Sequence, residues 1–138
     1  MTKHKGRPLT ADEIREHVVR HVDCAKYKAA DFDWYFRQKL PLSVLKSHPE
    51  GTGPLGSSPG NWIRWLASER ASGDWGDDFA SWWESAPGRE RPPLVVTEGA
   101  RGFLVEDGNH RVAVSHEYVM RDVPAYVGYR KEEREVHK

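Results

Sequence analysis

The chain has 138 residues, and its 21 Lys and Arg balance 21 Asp and Glu, so the formal net charge is zero. That balance removes a global basic excess, the simplest electrostatic basis for nucleic-acid binding. No run of about 18 apolar residues is present, so no membrane span is expected, and the basic start MTKHKGRPLT lacks the apolar stretch of a secretory signal.

Residues 1–9 read as a loose arm. TADE then matches a capping box, with Thr10 as cap and Glu13 three residues on. It predicts a helix from about Ala11 to about Ala29, with Ile14, Val18, Val22 and Ala25 along one face. DFDWYFRQ predicts a short helix started by Asp33. LPLSVLK (40–46) reads as a short strand, with Pro41 suited to an edge or a strand start. SHPEGTGPLGSSPG (47–60) is a loop by its Gly, Pro and Ser content. Asn61 is the expected cap of a helix carrying Trp62, Ile63, Trp65 and Leu66 and stopping near Gly73, and a second short helix is expected over about 77–85, with Phe79, Trp82 and Trp83.

The last third changes character. PLVVT (93–97) and GFLVE (102–106) are strands joined by the turn EGAR, a hairpin pattern. Residues 109–120 have helical spacing, with Val112, Ala113, Val119 and Met120 as core candidates, and VPAYVGY (123–129) is a closing strand. The tail RKEEREVHK is a solvated charged end. The whole chain, 1–138, is expected to be one α+β domain, with 47–86 as an insertion or divergent helical segment and 131–138 as the charged tail. Six tryptophans can build a core from few residues, which offsets a mean hydropathy of −0.77. The single cysteine, Cys24, excludes an internal disulfide and fits a reducing, cytoplasmic location.

The stretch VEDGNHRVAV (105–114) places a polar pentapeptide between two apolar runs, where a strand hands over to a helix. The first N–H groups of a helix lack internal partners and carry the positive end of its dipole, so such a junction suits an anion. Gly108 allows a positive φ or a close approach, and Asn109 can cap the helix. Arg111 supplies a planar fork suited to phosphate oxygens. His110 supplies a donor or a proton-transfer group near neutral pH. Asp107 and Glu106 offer oxygen ligands for a metal, or orient the arginine. DGN is equally ordinary turn chemistry, in which Asp and Asn only cap the helix, while His110 and Arg111 face solvent or pair with Glu117.

Other constellations are weaker. Glu13, His17, His21 and Cys24 could offer metal ligands on one helix face, or form its polar flank. The segment with Trp62, Trp65, Trp75, Trp82 and Trp83 serves mainly the core, with one or two rings left to dock a protein partner. Glu69, Asp74, Asp77, Asp78 and Glu84 crowd it, against a single-strand groove. His48 is either a lid over a bound phosphate or an exposed loop residue.

FLVEDGNHRVAVSHEYVMRDVPAYV (103–127) resembles the ParB/sulfiredoxin superfamily, whose members show a strand, a D-G-x-x-R-like turn, a helix, a short turn and a strand beginning VP or IP. GRERPPLVV (88–96) is similar to the family's G-x-x-x-P lead into a strand, and LPLSVL to its first strand. The resemblance covers about 40 residues at the C-terminal end (103–127 with its lead) and has no counterpart for 47–86. It implies an α+β fold with a small mixed sheet, packed on one side by the 109–120 helix and on another by the tryptophan helices. It also implies nucleotide handling, since members include CTP-dependent DNA-segregation switches, ATP-using sulfiredoxins, an ADP-dependent free-serine kinase and nucleases. By position, Gly108, Asn109, His110 and Arg111 would cradle the phosphates of a nucleoside triphosphate or diphosphate, with Gly88 and Pro92 nearby. His110 would donate to a phosphate or leaving oxygen, and Asp107 or Glu106 would place Mg²⁺ or act as base. Asn109 stands where sulfiredoxins carry their catalytic cysteine, so sulfinic-acid repair is not expected. The chain ends soon after VPAYVGYR, without the helix-turn-helix of segregation proteins, so a chromosome-clamp role is not expected of this chain alone. The expectation is nucleotide binding at DGNHR with Mg²⁺-dependent phosphoryl transfer or hydrolysis. The alternatives are a non-catalytic module docking a protein through Trp62–Trp83, or a nuclease, which the neutral charge disfavours.

Overall fold

The computed structural model of the chain describes residues 5–22, 26–49, 53–72, 77–87 and 90–131. The capping box forms as its sequence predicts: Thr10 Oγ1 accepts from Glu13 N at 3.1 Å, and Glu13 Oε1 accepts from Thr10 N at 2.9 Å. The helix it starts, α1, covers only Ala11–His17. A 3-10 turn, Val19–His21, follows, and Val22 leaves helical geometry at φ −114°, ψ 81°. The expected helix to Ala29 is thus cut short. Three β-branched residues in five positions, Val18, Val19 and Val22, are weak helix formers, and Val18 and Val22 reach the core without a regular helix. Ala25 and Cys24 lie outside the described residues.

DFDWYFRQ is not a helix. It belongs to strand β2, Phe32–Pro41, which opens buried–exposed–buried at Phe32, Asp33 and Trp34. Its aromatic content suits a half-buried pleat better than a helical turn. Arg7–Pro8, within the expected loose arm, form a short strand β1 paired antiparallel with β2. The expected strand 40–46 is divided: Leu40 and Pro41 end β2, Leu42–Val44 make a 3-10 turn, and Leu45–Ser47 form β3. Helix α2 spans Pro59–Ala71 and is capped by Ser58, whose Oγ accepts from Asn61 N at 3.2 Å. The cap is Ser58 rather than Asn61 because Pro59, with no N–H to lose, fits the first helical turn. The helix stops at Ser72, before Gly73, which lies outside the described residues. Helix α3 spans Asp77–Ser85, β4 Leu94–Glu98, β5 Phe103–Asp107, α4 Asn109–Glu117 and β6 Asp122–Arg130.

The six strands form one mixed sheet in the order β1-β2-β6-β4-β5-β3. β4 pairs antiparallel with β5 and parallel with β6, and β3 runs parallel to β5 at the edge. One core unites Leu94, Val96, Val105, Val123, Ala125 and Val127 of the sheet with Trp62, Leu66 and Trp83 and with Val112, Ala113 and Val114 of α4. The tryptophan helices therefore share the α4 side of the sheet; they do not cover a separate side. The second cluster holds Val18, Val22, Ala29, Phe32, Trp34 and Val95. One irregularity serves this layout. Arg37 pairs with Ala125 but Leu40 with Val123, so β2 carries one extra residue there. That bulge reverses the pleat and moves Leu40 into the core that Phe32 and Trp34 do not share. Trp83 is fully buried, and its Nε1 donates to Ser115 Oγ at 2.7 Å, satisfying the one polar atom of a large apolar ring.

Helix α4 ends earlier than 120. Val119 N donates to His116 O and Met120 N to Ser115 O, the paired bonds of a left-handed helix stop. Val119 holds φ 56° and is 85% exposed, so it is not the core contact its spacing predicts, whereas Met120 does pack on the core. Of the charged tail, only Lys131 lies within the described residues. No described helix is long and apolar enough to cross a membrane.

Candidate functional site

β5 is also irregular. Val95 pairs with Asp107 and Val96 with Val105, so Glu106 is an extra residue opposite β4. The bulge turns Glu106 out of the ladder into a polar cluster. Glu106 Oε2 accepts from Tyr27 Oη at 2.5 Å and from Thr97 Oγ1 at 2.7 Å, with His48 Nε2 at 3.3 Å. His48 Nε2 also lies 2.6 Å from Tyr27 Oη. Side-chain exposure is 8% for His48 and 5% for Glu106, so His48 is neither a lid nor an exposed loop residue. A buried carboxylate needs such partners, since each unmet hydrogen bond is expensive away from water.

One residue on, Asp107 Oδ2 accepts from Arg111 Nη2 at 2.8 Å. Arg111 Nη1 reaches the carbonyls of Pro92 at 3.0 Å and Pro93 at 3.1 Å. The guanidinium thus ties α4 to the segment that leads into β4 and holds the Pro92 carbonyl beside the turn. Gly108, not Asn109, is the N-cap of α4, at φ 115°, ψ 25°. Glycine is required twice over: the backbone is left-handed, and an added Cβ would lie 2.4 Å from Leu94 Cδ2. Gly108, as the cap residue, gives the first turn no side-chain hydrogen bond. Asn109 instead buries its Oδ1 without a hydrogen-bond partner. The Gly/Pro loop closes on it, since a Cβ at Gly53 would lie 3.0 Å from Asn109 Cγ.

Residues Glu106 to Arg111, with Phe79 of α3, line a cavity of about 320 Å³. His110 Nε2 lies 2.8 Å from Glu69 Oε1, and its ring is 4.7 Å from that of Trp65. Glu117 pairs with Arg70 at 2.6 and 2.9 Å, not with His110 or Arg111. A second cavity, about 480 Å³, adjoins the first through Asp107, Arg111 and Phe79 and extends to His17, Arg20, His21, Pro92, Pro93, Val95 and Tyr126. His21 Nε2 stands 3.8 Å from Asp107 Oδ2.

The other expected groupings separate. Glu13 pairs with Arg7 at 3.1 Å, His17 stacks on Tyr126 at 5.4 Å, and His21 faces Asp107, so they do not converge on one metal. No group of three or more His, Cys, Asp or Glu side chains suited to a metal exists among the described residues. Gly88 and Trp75 lie outside those residues. Trp62 and Trp83 are fully buried and Trp65 packs on the core, so Trp82, 42% exposed, is the most exposed ring among the described tryptophans. Tyr27, Thr97 and Glu69 were not legible as site residues, because each arrives from a segment distant in sequence with no motif of its own, and His21 was read only with the metal candidates of its own helix.

Chemically, the turn offers a glycine-capped helix start, an anchored guanidinium, an imidazole aligned by a carboxylate, and the Asp107 carboxylate. Mg²⁺ commonly binds through one or two carboxylates plus phosphate oxygens, and Asp107 fits that part better than Glu106, whose Oε2 is already enclosed. No protein-family model matches the chain, and no curated protein sequence matches it.

Proposed function

We propose that the protein binds a nucleoside di- or triphosphate at the first turn of α4. The observation that carries this reading is the cavity lined by Glu106 through Arg111, onto which a glycine-capped helix start opens. The first-turn N–H groups of α4 have no partners within the helix, and Gly108 brings no capping side chain to them. The ParB/sulfiredoxin resemblance supports the same reading, because the order of strand, glycine turn, helix and strand that carries it is the order of β5, Gly108, α4 and β6.

Each side chain then has a part. The backbone at 109–111 holds phosphate oxygens, and Arg111 neutralises their charge from its fixed place. His110, aligned by Glu69, donates to a phosphate or leaving oxygen. Asp107 would hold Mg²⁺ against the phosphates. Glu106 fixes the bulge rather than meeting the ligand. Phosphoryl transfer relies mainly on positioning and charge stabilisation, so these groups suit Mg²⁺-dependent transfer or hydrolysis.

The test is calorimetric titration of ATP, ADP, CTP and GTP, with and without Mg²⁺, into wild type, Arg111→Ala and Asn109→Asp. Asn109→Asp adds a negative charge at the first turn without touching the Arg111 contacts, and thermal unfolding of the free variant checks that it folds. Binding by wild type, lost in both variants, is the expected result. No binding by wild type, or unchanged affinity in Asn109→Asp, overturns the reading and leaves the exposed Trp82 surface as the site of a non-catalytic protein contact.

A further inference from the structure

The second cavity is not needed to hold phosphate, yet it shares Asp107, Arg111 and Phe79 with the first. Its remaining walls differ in chemistry. Pro92, Pro93, Val95 and Tyr126 are flat or apolar, and His17 and His21 add ring nitrogens. His17 and Tyr126 already lie nearly parallel, 11° apart at 5.4 Å, so the cavity contains a ready stacking surface. His21 stands at the junction, 3.8 Å from Asp107 Oδ2. A ligand that filled both cavities would have an anionic end at the start of α4, a polar middle at His21 and Asp107, and a planar ring beside Tyr126.

We infer that this second cavity is the subsite for the heteroaromatic base of the bound nucleotide, with His17 and Tyr126 as its stacking wall and His21 as the polar contact near the sugar. This inference rests on the reading of the α4 turn as the phosphate site. It adds a source of affinity that the turn lacks: stacking tolerates any base, while the histidine nitrogens discriminate among base and sugar edges.

The experiment compares ATP, CTP, inorganic tripolyphosphate and adenosine in calorimetric titrations of wild type and the double variant His17→Ala/His21→Ala. Tripolyphosphate carries no base, so it reports any phosphate contact that the two substitutions remove. The expected result is nucleotide binding about tenfold or more tighter than tripolyphosphate in wild type, with most of that advantage lost in the variant and tripolyphosphate affinity unchanged. Equal affinity for nucleotides and tripolyphosphate, indifferent to the variant, overturns the base subsite and leaves the phosphate site standing. Adenosine binding that gains nothing from phosphates, and weakens in the variant, supports the base subsite and overturns the phosphate site. Binding of none of the four overturns both.

Discussion

Tyr27 Oη donates to Glu106 Oε2 across 2.5 Å, joining the segment after α1 to the bulge of β5. With the tyrosine proton on that side, His48 Nε2–H is the donor to the hydroxyl. Tyr27→Phe removes the shared member and leaves Thr97 as the hydroxyl partner of a carboxylate that is 5% exposed. The expected loss is about 1–3 kcal/mol, the cost of depriving a buried acceptor. Urea unfolding checks it as a lower midpoint at constant slope. An unchanged midpoint would mean that the carboxylate draws nothing from the hydroxyl.

Gly108→Ala should damage both fold and site. The new methyl meets Leu94, which is fully buried, and the backbone stays at φ 115°. A destabilisation of about 1–3 kcal/mol follows from strain and overpacking. Thermal unfolding with and without nucleotide reads both effects. A variant with wild-type stability would show that the turn relaxes around the methyl.

Val119→Gly should do the opposite. A β-branched residue at φ 56° occupies the stop of α4, where glycine carries no steric penalty, and its side chain is 85% exposed and leaves no cavity. Stability should rise by about 1 kcal/mol. A fall in melting temperature would reveal a use for the valine side chain in the folded state.

Two ionisable groups shape successive steps on the acid side of the pH profile. The Arg7 guanidinium holds the Glu13 carboxyl down to about 2, from an ordinary 4.5, aided by the Thr10 backbone N–H. The contribution is present above the unfolded value and is lost as pH falls through the folded one, between about 4.5 and about 2. Glu13→Gln keeps the capping box but removes the charge, so its melting temperature should differ from wild type at neutral pH and converge with it in strong acid. High salt should shrink the difference, because the pair is exposed. His116, desolvated against Trp62, is held below its ordinary 6.5. The fold favours its neutral form, so stability from this residue is full above 6.5 and declines as pH drops below it. His116→Gln should flatten that part of the curve.

Legibility in the sequence followed the range of the interactions. The Thr10–Glu13 box, α3, the β4–β5 hairpin and β6 were readable because neighbouring residues decide them. β2 was misread because DFDWYFRQ is short and aromatic, and only pairing with β6 makes its alternation decisive. α1 was overextended because Val18 and Val22 keep a helical spacing while their branched side chains favour another backbone. The site divides in the same way. Gly108 and its neighbours were visible as a turn, and Asp107 and Arg111 as a charged pair. Asn109 was read as the cap because the left-handed geometry of Gly108 cannot be seen in composition. Glu106 was read as a ligand because its partners Tyr27, Thr97 and His48 come from three other segments.

The extra residue in β5 also governs how this chain can change length. A strand alternates its side chains between two faces, so Glu106 acts as a phase shift of half a period between the hairpin and the turn that follows. Deleting it would restore a regular ladder yet rotate everything downstream by one face. Asp107 would stay opposite Val95 but turn its side chain to the other face, away from Arg111, and the turn would open away from Pro92 and Pro93. At this position the count of residues is what matters, because the spacing rather than the side chain sets where the helix begins.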